Sequence, residues 1–206
     1  MATAQNNKEL VPFEHYVSLY KELDPVEASS RCGVKFDSER KCFLMRLLDA
    51  DYELSFPEFA ISGSDNGFAL RNLPAQMLLI RFLLEGRASK SSGTFLTYRE
   101  MPWGEVYIKP FTGRCLTRAA FTFGTKVAKF AAACEKMGAI RLPHGDAGYQ
   151  FDFLGGYRMQ IMVYAGDDEF PPSAQVLYSG NFESGFAAED RVVAGDLLIT
   201  AIKKEL

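Results

Sequence analysis

A chain of 206 residues with 48% hydrophobic and 24% charged residues has the composition of a folded globular protein, which excludes an intrinsically disordered one. The formal net charge is −3 without a dense Lys/Arg cluster, and no apolar run reaches the roughly 20 residues that a membrane-spanning helix needs. We therefore expect neither nucleic acid nor a membrane as a partner. The first residues lack a basic segment followed by an apolar one, which predicts a cytoplasmic location.

The chain opens with helical features. Residues 1–10 are polar and predict a flexible tail, whereas the aromatic residues that follow recur at helical spacing over residues 13–23. Asp24 can cap a second helix, because proline suits the first helical position and a glutamate three residues after the cap completes a capping box. Gly33 suits the left-handed position that ends such a helix. Two helices are therefore expected before the first strand.

The next segment changes its hydrophobic period. From Val34, short apolar runs separated by polar residues predict an antiparallel meander, with a turn at residues 62–67. Residues 74–85 predict a helix that is apolar on nearly all sides, which indicates a buried position in the middle of the fold. The polar segment 87–93 predicts a flexible connector.

Residues 95–114 are dense in aromatic side chains that alternate with charged residues, prolines and glycines. Aromatic rings with polar tips and guanidinium groups are common in ligand pockets and interfaces, but they also supply buried area at the edge of a core. The sequence leaves both interpretations open. The candidate ligand-binding residues are Tyr98, Arg99, Glu100, Trp103, Tyr107, Arg114 and, from a later turn, His144.

Two helices are predicted after this stretch, over residues 114–123 and 126–137. A short strand, a turn at residues 144–146 and an alternating strand follow. His144 in this turn can act as a general base or a metal ligand, although either role requires a partner group. A last helix is expected over residues 186–204, with acidic residues in its first turn and lysines in its last.

Residues 158–180 consist of two apolar runs around an acidic loop that two prolines stiffen, which predicts two strands with an exposed connection. Asp167, Asp168 and Glu169 are candidate ligands for a divalent cation, because hard cations prefer oxygen ligands. The alternative is a solvated loop whose charges protect a strand edge from aggregation. We expect Phe170 to anchor this loop in the core.

The four cysteines are scattered along the chain without the close spacing of a metal site, and only two histidines are available to supplement them. Reduced, structural thiols are therefore expected. These cysteines are Cys32, Cys42, Cys115 and Cys134.

Together the elements predict an α+β fold, in which an antiparallel or mixed sheet packs with several helices in a single compact domain over residues 11–206. Strands that cluster, instead of alternating strictly with helices, argue against a doubly wound parallel sheet. The chain has neither a GxGxxG segment after a predicted strand nor a P-loop, which weighs against nucleotide cofactors held in those ways.

Three segments resemble the family known as domain of unknown function 3786. They are the Asp24–Pro25 helix start after an aromatic helix, the pattern G-x-F-x-x-Y-R-E-x-P-x-G-x-x-Y-x-x-x-F-x-x-R over residues 93–114, and the Asp-Glu-Phe-Pro motif at residues 168–171. The resemblance implies a setting in anaerobic bacteria and archaea, near iron–sulfur or corrinoid-dependent metabolism, but no established chemistry. Some similar proteins carry a cysteine-rich cluster-binding segment ahead of this region, whereas the first 31 residues of this chain contain no cysteine.

Two functions are compatible with these features. The first is a non-catalytic accessory protein, in which residues 95–111 and the acidic loop form one concave surface for an organic cofactor, such as a tetrapyrrole or corrinoid, or for a partner protein. The second is a metal-assisted enzyme that uses the Asp167–Glu169 carboxylates, with His144 or Arg99 polarising a substrate. The sequence shows no recognisable nucleophile–base pair, which favours binding over catalysis.

Overall fold

The computed structural model describes residues 7–65 and 67–206, which form an α+β fold with antiparallel strand pairing. The predicted fold class is thereby confirmed. In these residues the helices are α1 (Asn7–Lys21), α2 (Pro25–Cys32), α3 (Leu73–Glu85), α4 (Gly104–Phe111), α5 (Arg118–Phe123), α6 (Val127–Lys136) and α7 (Ala188–Lys204). The strands are β1 (Lys35–Asp37), β2 (Cys42–Leu47), β3 (Ala50–Ser55), β4 (Ile61–Gly63), β5 (Phe95–Thr97), β6 (Ile140–Leu142), β7 (Ala147–Leu154), β8 (Tyr157–Tyr164) and β9 (Ser173–Ser179).

The N-terminal helices follow the local code closely. Asp24 caps α2, since its side chain accepts hydrogen bonds from the amides of Val26 and Glu27, and Gly33 ends the helix in the left-handed conformation with φ 68°. Helix α1 begins at Asn7, so residues 7–10 of the expected tail are helical. The structure does not describe residues 1–6, and Asn66 in the expected turn at 62–67 also lies outside the described residues.

The strands form one sheet in the order β4-β3-β2-β7-β8-β9-β5, with β1 paired to β2 and β6 paired to β7. The predicted meander forms one side of the sheet and the β7–β8–β9 group the other. They meet at a short junction, where Leu47 of β2 lies opposite Leu154 of β7 and the Leu48 amide donates to the Phe153 carbonyl at 2.8 Å. Backbone pairing between distant segments thus joins two local antiparallel groups.

Helices α3 and α7 provide most of the helical side of the core. Leu78, Leu79 and Phe82 of α3 are fully buried, as are Leu198 and Ile199 of α7. This matches the nearly all-round apolar pattern of residues 74–85, which predicted a buried helix. Within residues 7–65 and 67–206, none of the helices combines the length and the hydropathy that a bilayer crossing requires.

Helix α4 was not predicted. It continues through a π-helical turn at Thr112–Thr117 into α5, so the helix expected to begin at residue 114 in fact starts at Gly104. Pro110 lies inside α4 and lacks an amide proton, so the regular hydrogen bond to the carbonyl four residues earlier cannot form. A widened turn next to this proline is the type of irregularity that π-helical segments accommodate.

The connector at residues 87–93 is not a free linker. Its first part is held by neighbouring elements: the Arg87 amide donates to the Ser184 carbonyl at 3.0 Å and the Ala88 amide donates to the Arg31 carbonyl at 2.7 Å. The buried Asn181 side chain donates to the Ser89 carbonyl at 2.7 Å. The polar composition suggested a flexible linker, but the groups that bind this backbone come from distant parts of the sequence.

Candidate functional site

The buried half of the aromatic stretch belongs to the core. Tyr98 is fully buried, its ring stacks on Phe111 with 4.3 Å between centroids, and its hydroxyl donates to the Ala188 carbonyl at 2.9 Å. Burial raises the pKa of Tyr98 to about 12. Both its ring and its hydroxyl are therefore occupied within the protein, and Tyr98 is a structural residue, contrary to its assignment as a ligand contact.

Arg99 and Glu100 lie on the single 3-10 turn that follows β5. Glu100 completes a capping box, since its carboxylate accepts from the Thr97 amide at 2.7 Å, and this backbone hydrogen bond lowers the pKa of Glu100. Arg99 pairs with Glu105 across 3.2 Å, and both side chains are exposed. These two predicted residues thus form part of a polar rim around the start of α4.

Trp103 is the most exposed large hydrophobic residue of this region, with 75% of its surface accessible. It directly precedes α4 and has a left-handed backbone with φ 62°, which is uncommon for a bulky residue and costs about 1–3 kcal/mol. Val106, one turn further, is 67% exposed, and Pro110 is exposed after another turn. The spacing of Val106 and Pro110 is that of one helix face. We call Trp103, Val106 and Pro110 the α4 surface.

A buried scaffold fixes the backbone beneath Trp103. The Arg191 guanidinium, which is almost fully buried, donates to the carbonyls of Pro102 and Phe186 and lies 5.8 Å from the centre of the Tyr98 ring. No carboxylate pairs with Arg191 among the described residues, and burial lowers the pKa of its guanidinium. The cation is instead held by carbonyl oxygens and a ring face, which ties the segment before Trp103 to α7.

Tyr107 and Arg114 are held by neighbouring elements. Tyr107 is half-buried against the core, while Arg114 pairs with Asp196 of α7 across 3.2 Å. Arg118, one turn later, also contacts Asp196 and donates to the Thr200 hydroxyl at 2.9 Å. These ion pairs attach the π-helical turn and α5 to α7.

The predicted His144 lies in the turn before β7, beside the acidic loop. Asp146 links the two segments, because its carboxylate accepts from the Ala165 amide at 2.7 Å. His144 itself is exposed. Among the described residues, no hydrogen bond or ion pair connects His144 or the acidic loop to the α4 surface.

The acidic loop is organised by its own backbone. Asp167 accepts from the amides of Phe170, at 2.7 Å, and Glu169, at 2.9 Å, and these hydrogen bonds lower the pKa of Asp167. Within residues 7–65 and 67–206, no three His, Cys, Asp or Glu side chains are grouped as a metal site. The candidate ligands Asp167, Asp168 and Glu169 are therefore not arranged around a common point.

The prediction that Phe170 anchors this loop in the core is wrong. Phe170 is 67% exposed, whereas Pro172 packs so tightly on Gly124, which directly follows α5, that a Cβ atom at Gly124 would clash with it. The Asp167 turn directs the chain so that the second proline, and not the phenylalanine, contacts the protein. A rigid proline ring can pack on a helix without the loss of side-chain entropy that a buried phenylalanine incurs.

Two surface clefts are lined by residues other than the predicted site residues. One of about 660 Å³ lies on the open face of β2 and β3, between Arg46, Asp51 and Glu53. Another, of about 530 Å³, lies between residues 88–91 of the connector and the Gly155–Gly156 turn. The Gly-Gly pair between two apolar strands was a visible signal for a tight hairpin. Its position opposite the connector depends on tertiary structure and could not be predicted.

Comparison with known proteins gives one finding at the family level. The family model described as "Domain of unknown function (DUF3786)" matches residues 24–201. Neither a curated protein nor a solved structure shows significant similarity to the chain.

Proposed function

The chain belongs to the DUF3786 family, and we propose that it is a non-catalytic accessory protein that binds a partner protein through the α4 surface. The observation that carries this proposal is the exposed Trp103, which a strained backbone presents at 75% accessibility. Tryptophan is enriched among the residues that dominate binding energy at protein interfaces. Strain of this kind persists only where the surrounding structure enforces it, and it is concentrated at functional positions.

The surroundings of Trp103 support a rigid interface. Gly104 leaves no room for a Cβ atom beside the Tyr98 carbonyl, and Met101 is buried directly before the exposed segment. The indole therefore starts from a fixed backbone, which reduces the entropy lost on association. An exposed aromatic residue on a mobile loop would lack this advantage.

The charges around the α4 surface indicate the chemistry of the partner. Arg99 and Glu105 neutralise each other, and Arg114 is paired with Asp196. Lys109 is exposed on α4 and has no ion-pair partner among the described residues. The complementary surface is therefore an apolar pocket that receives the indole, with a carboxylate at its rim opposite Lys109.

The test compares Trp103→Ser with Phe170→Ser, which removes another exposed aromatic side chain without touching the α4 surface. Full-length wild-type and variant proteins are used to isolate partners from host extract, and a protein lost only with Trp103→Ser is then purified and titrated. Loss of a central tryptophan typically costs 2 kcal/mol or more, so we expect affinity to fall by about 30-fold or more. Phe170→Ser should bind like the wild type.

Because Trp103 is the only tryptophan, its fluorescence reports directly on binding. Burial by a partner should shift the emission to shorter wavelength. A purified complex with equal affinity for Trp103→Ser and wild type would refute the proposed interface. Saturable quenching by cobinamide or haemin, with no protein partner that depends on Trp103, would instead favour the organic cofactor expected from the sequence.

A further inference from the structure

The cleft between the connector and the β7–β8 turn combines cationic and hydroxyl groups. Lys90 and Ser89 line one wall, and Gly155, Gly156 and Arg158 line the other. Among the described residues, Lys90 forms no ion pair and the Ser89 hydroxyl makes no hydrogen bond. The two walls therefore offer unused donors to a common space.

Arg158 is oriented by a neighbouring strand. Its Nε atom donates to the Asp152 carboxylate at 3.0 Å, and these two residues lie opposite each other in the β7–β8 ladder. The terminal Nη1 and Nη2 atoms make no hydrogen bond within the described residues. A guanidinium held at Nε keeps a fork of donors that can bind two oxygens of one oxyanion.

Buried polar groups fix the separation of the walls. Asn181 donates to the Ser89 carbonyl at 2.7 Å and lies 3.5 Å from the Gly156 carbonyl. Ser179 donates to the Asn181 side chain at 2.6 Å and accepts from the Arg158 amide at 3.0 Å. Because Ser179 and Asn181 are both buried, the cleft is held open by a satisfied internal network instead of by solvent-exposed contacts.

The turn itself leaves space for a ligand. Gly155 and Gly156 have φ values of 55° and 91°, as a two-residue hairpin turn with two left-handed residues requires. No atom lies within 4 Å of a Cβ position built on either glycine, so the space beside the turn is open. A ligand can therefore approach the backbone without displacing a side chain.

We propose that this cleft binds the phosphate group of a small phosphorylated molecule. Lys90, the Nη1 and Nη2 atoms of Arg158 and the Ser89 hydroxyl supply hydrogen-bond donors for the several acceptor oxygens of a phosphate dianion. The Asp152 carboxylate, which contacts Arg158, is a single negative charge beside these donors. The volume of about 530 Å³ exceeds that of a free phosphate and lies within the range of roughly 300–1,000 Å³ for small-molecule sites. This site is independent of the α4 surface.

Amide NMR of the isotope-labelled full-length protein tests the proposal. We expect inorganic phosphate and phenyl phosphate, added at constant ionic strength, to shift the Gly155 and Gly156 signals in a saturable manner. Lys90→Ala and Arg158→Ala should each weaken binding about tenfold, since each removes charge-assisted hydrogen bonds. Arg158→Lys should retain part of the affinity because it keeps the charge but loses the fork.

Matched controls separate the cleft from general charge effects. Arg46 forms the equivalent cross-strand pair with Asp51 on the other side of the sheet, and Lys203 is an exposed lysine of α7. Arg46→Ala and Lys203→Ala should bind phosphate like the wild type. Absence of saturable shifts, equal losses in these controls, or acetate binding as tight as phosphate would each overturn the assignment.

Discussion

Asp190 lies in the first turn of α7 with 3% of its surface exposed, and its carboxylate contacts the Arg81 guanidinium. Burial raises the pKa of Asp190 to about 6, although the nearby guanidinium favours the ionised form. An unfolded aspartate titrates at about 3.9. Between these values the native state binds more protons than the unfolded state, so the stability contributed by Asp190 is complete below about pH 4 and is lost as the pH rises through about 6.

Asp190→Asn tests this dependence, because asparagine does not titrate. The free energy of unfolding of the wild type, minus that of the variant, should fall by an amount on the order of 3 kcal/mol between pH 4 and 7. Urea unfolding at several pH values measures the difference. Glu189→Gln is the control, since Glu189 also approaches Arg81, at 3.7 Å, but is exposed. A difference that grows with pH would mean that Arg81 dominates and that the pKa of Asp190 is lowered.

The direction of the Phe170 side chain could not be predicted from the sequence. An aromatic residue before two prolines suggested an anchor in the core, yet its direction is set by the Asp167 turn and by the fit of Pro172 on Gly124. By contrast, the buried and reduced state of the cysteines is confirmed, because all four are free and buried. A cysteine can be buried wherever the core has space for a small side chain. Phe170 would in addition have to point from its loop towards the core, and the loop directs it to solvent.

At the level of elements, α2 and α4 differ in how far local signals decide them. Asp24, Pro25 and Gly33 specify the limits of α2, and the structure confirms both. The segment of α4 contains Trp103–Gly104 and Pro110, which are local signals against a helix. Its formation depends on tertiary contacts with α7, which override weak propensity. The sequence therefore predicted the aromatic density of this region but not its helical geometry.

Gly104 is the position where α4 depends most on close packing. A Cβ atom there would clash with the Tyr98 carbonyl, whereas a Cβ atom at Gly113, in the π-helical turn of the same segment, would meet nothing within 4 Å. We expect Gly104→Ala to destabilise the protein by about 1–3 kcal/mol, the usual range for overpacking. Gly113→Ala should be neutral or stabilising by up to about 1 kcal/mol, because alanine favours helices.

Urea unfolding measured by circular dichroism distinguishes these two variants. Equal stability of Gly104→Ala and the wild type would show that the start of α4 can move away from Tyr98. In that case the rigid presentation of Trp103, which supports the α4 surface as an interface, would be lost. A loss of stability in Gly113→Ala without one in Gly104→Ala would also contradict the close contact at Gly104 and the open space at Gly113.

At the level of the whole molecule, the sequence could predict antiparallel groups but not how they combine. Alternating apolar residues identify strands and hairpins because these pairings are local. Nothing in such a pattern specifies that β2 pairs with β7 or that β5 pairs with β9. For the same reason, composition could nominate candidate ligand residues but could not predict which elements hold them. Long-range pairing is decided by burial of the whole core.

The four cysteines allow a test of whether the two sides of the sheet unfold together. Cys32 and Cys42 lie in α2 and β2, and Cys115 and Cys134 lie in the π-helical turn and α6. Burial raises the pKa of each thiol, for Cys115 to about 12. Because the thiolate is the reactive form, we expect none of them to be alkylated in the native protein at neutral pH.

Pulsed alkylation across a urea gradient, followed by mass spectrometry of the peptides, should show all four thiols becoming reactive at one midpoint. The reason is that both sides of the sheet contribute to a single hydrophobic core, although their backbones meet only at the short β2–β7 junction. The circular dichroism midpoint provides the reference for global unfolding. Reactivity of Cys32 and Cys42 at lower urea than Cys115 and Cys134 would divide the chain into two units of different stability, because local unfolding exposes only the thiols of the unit that opens.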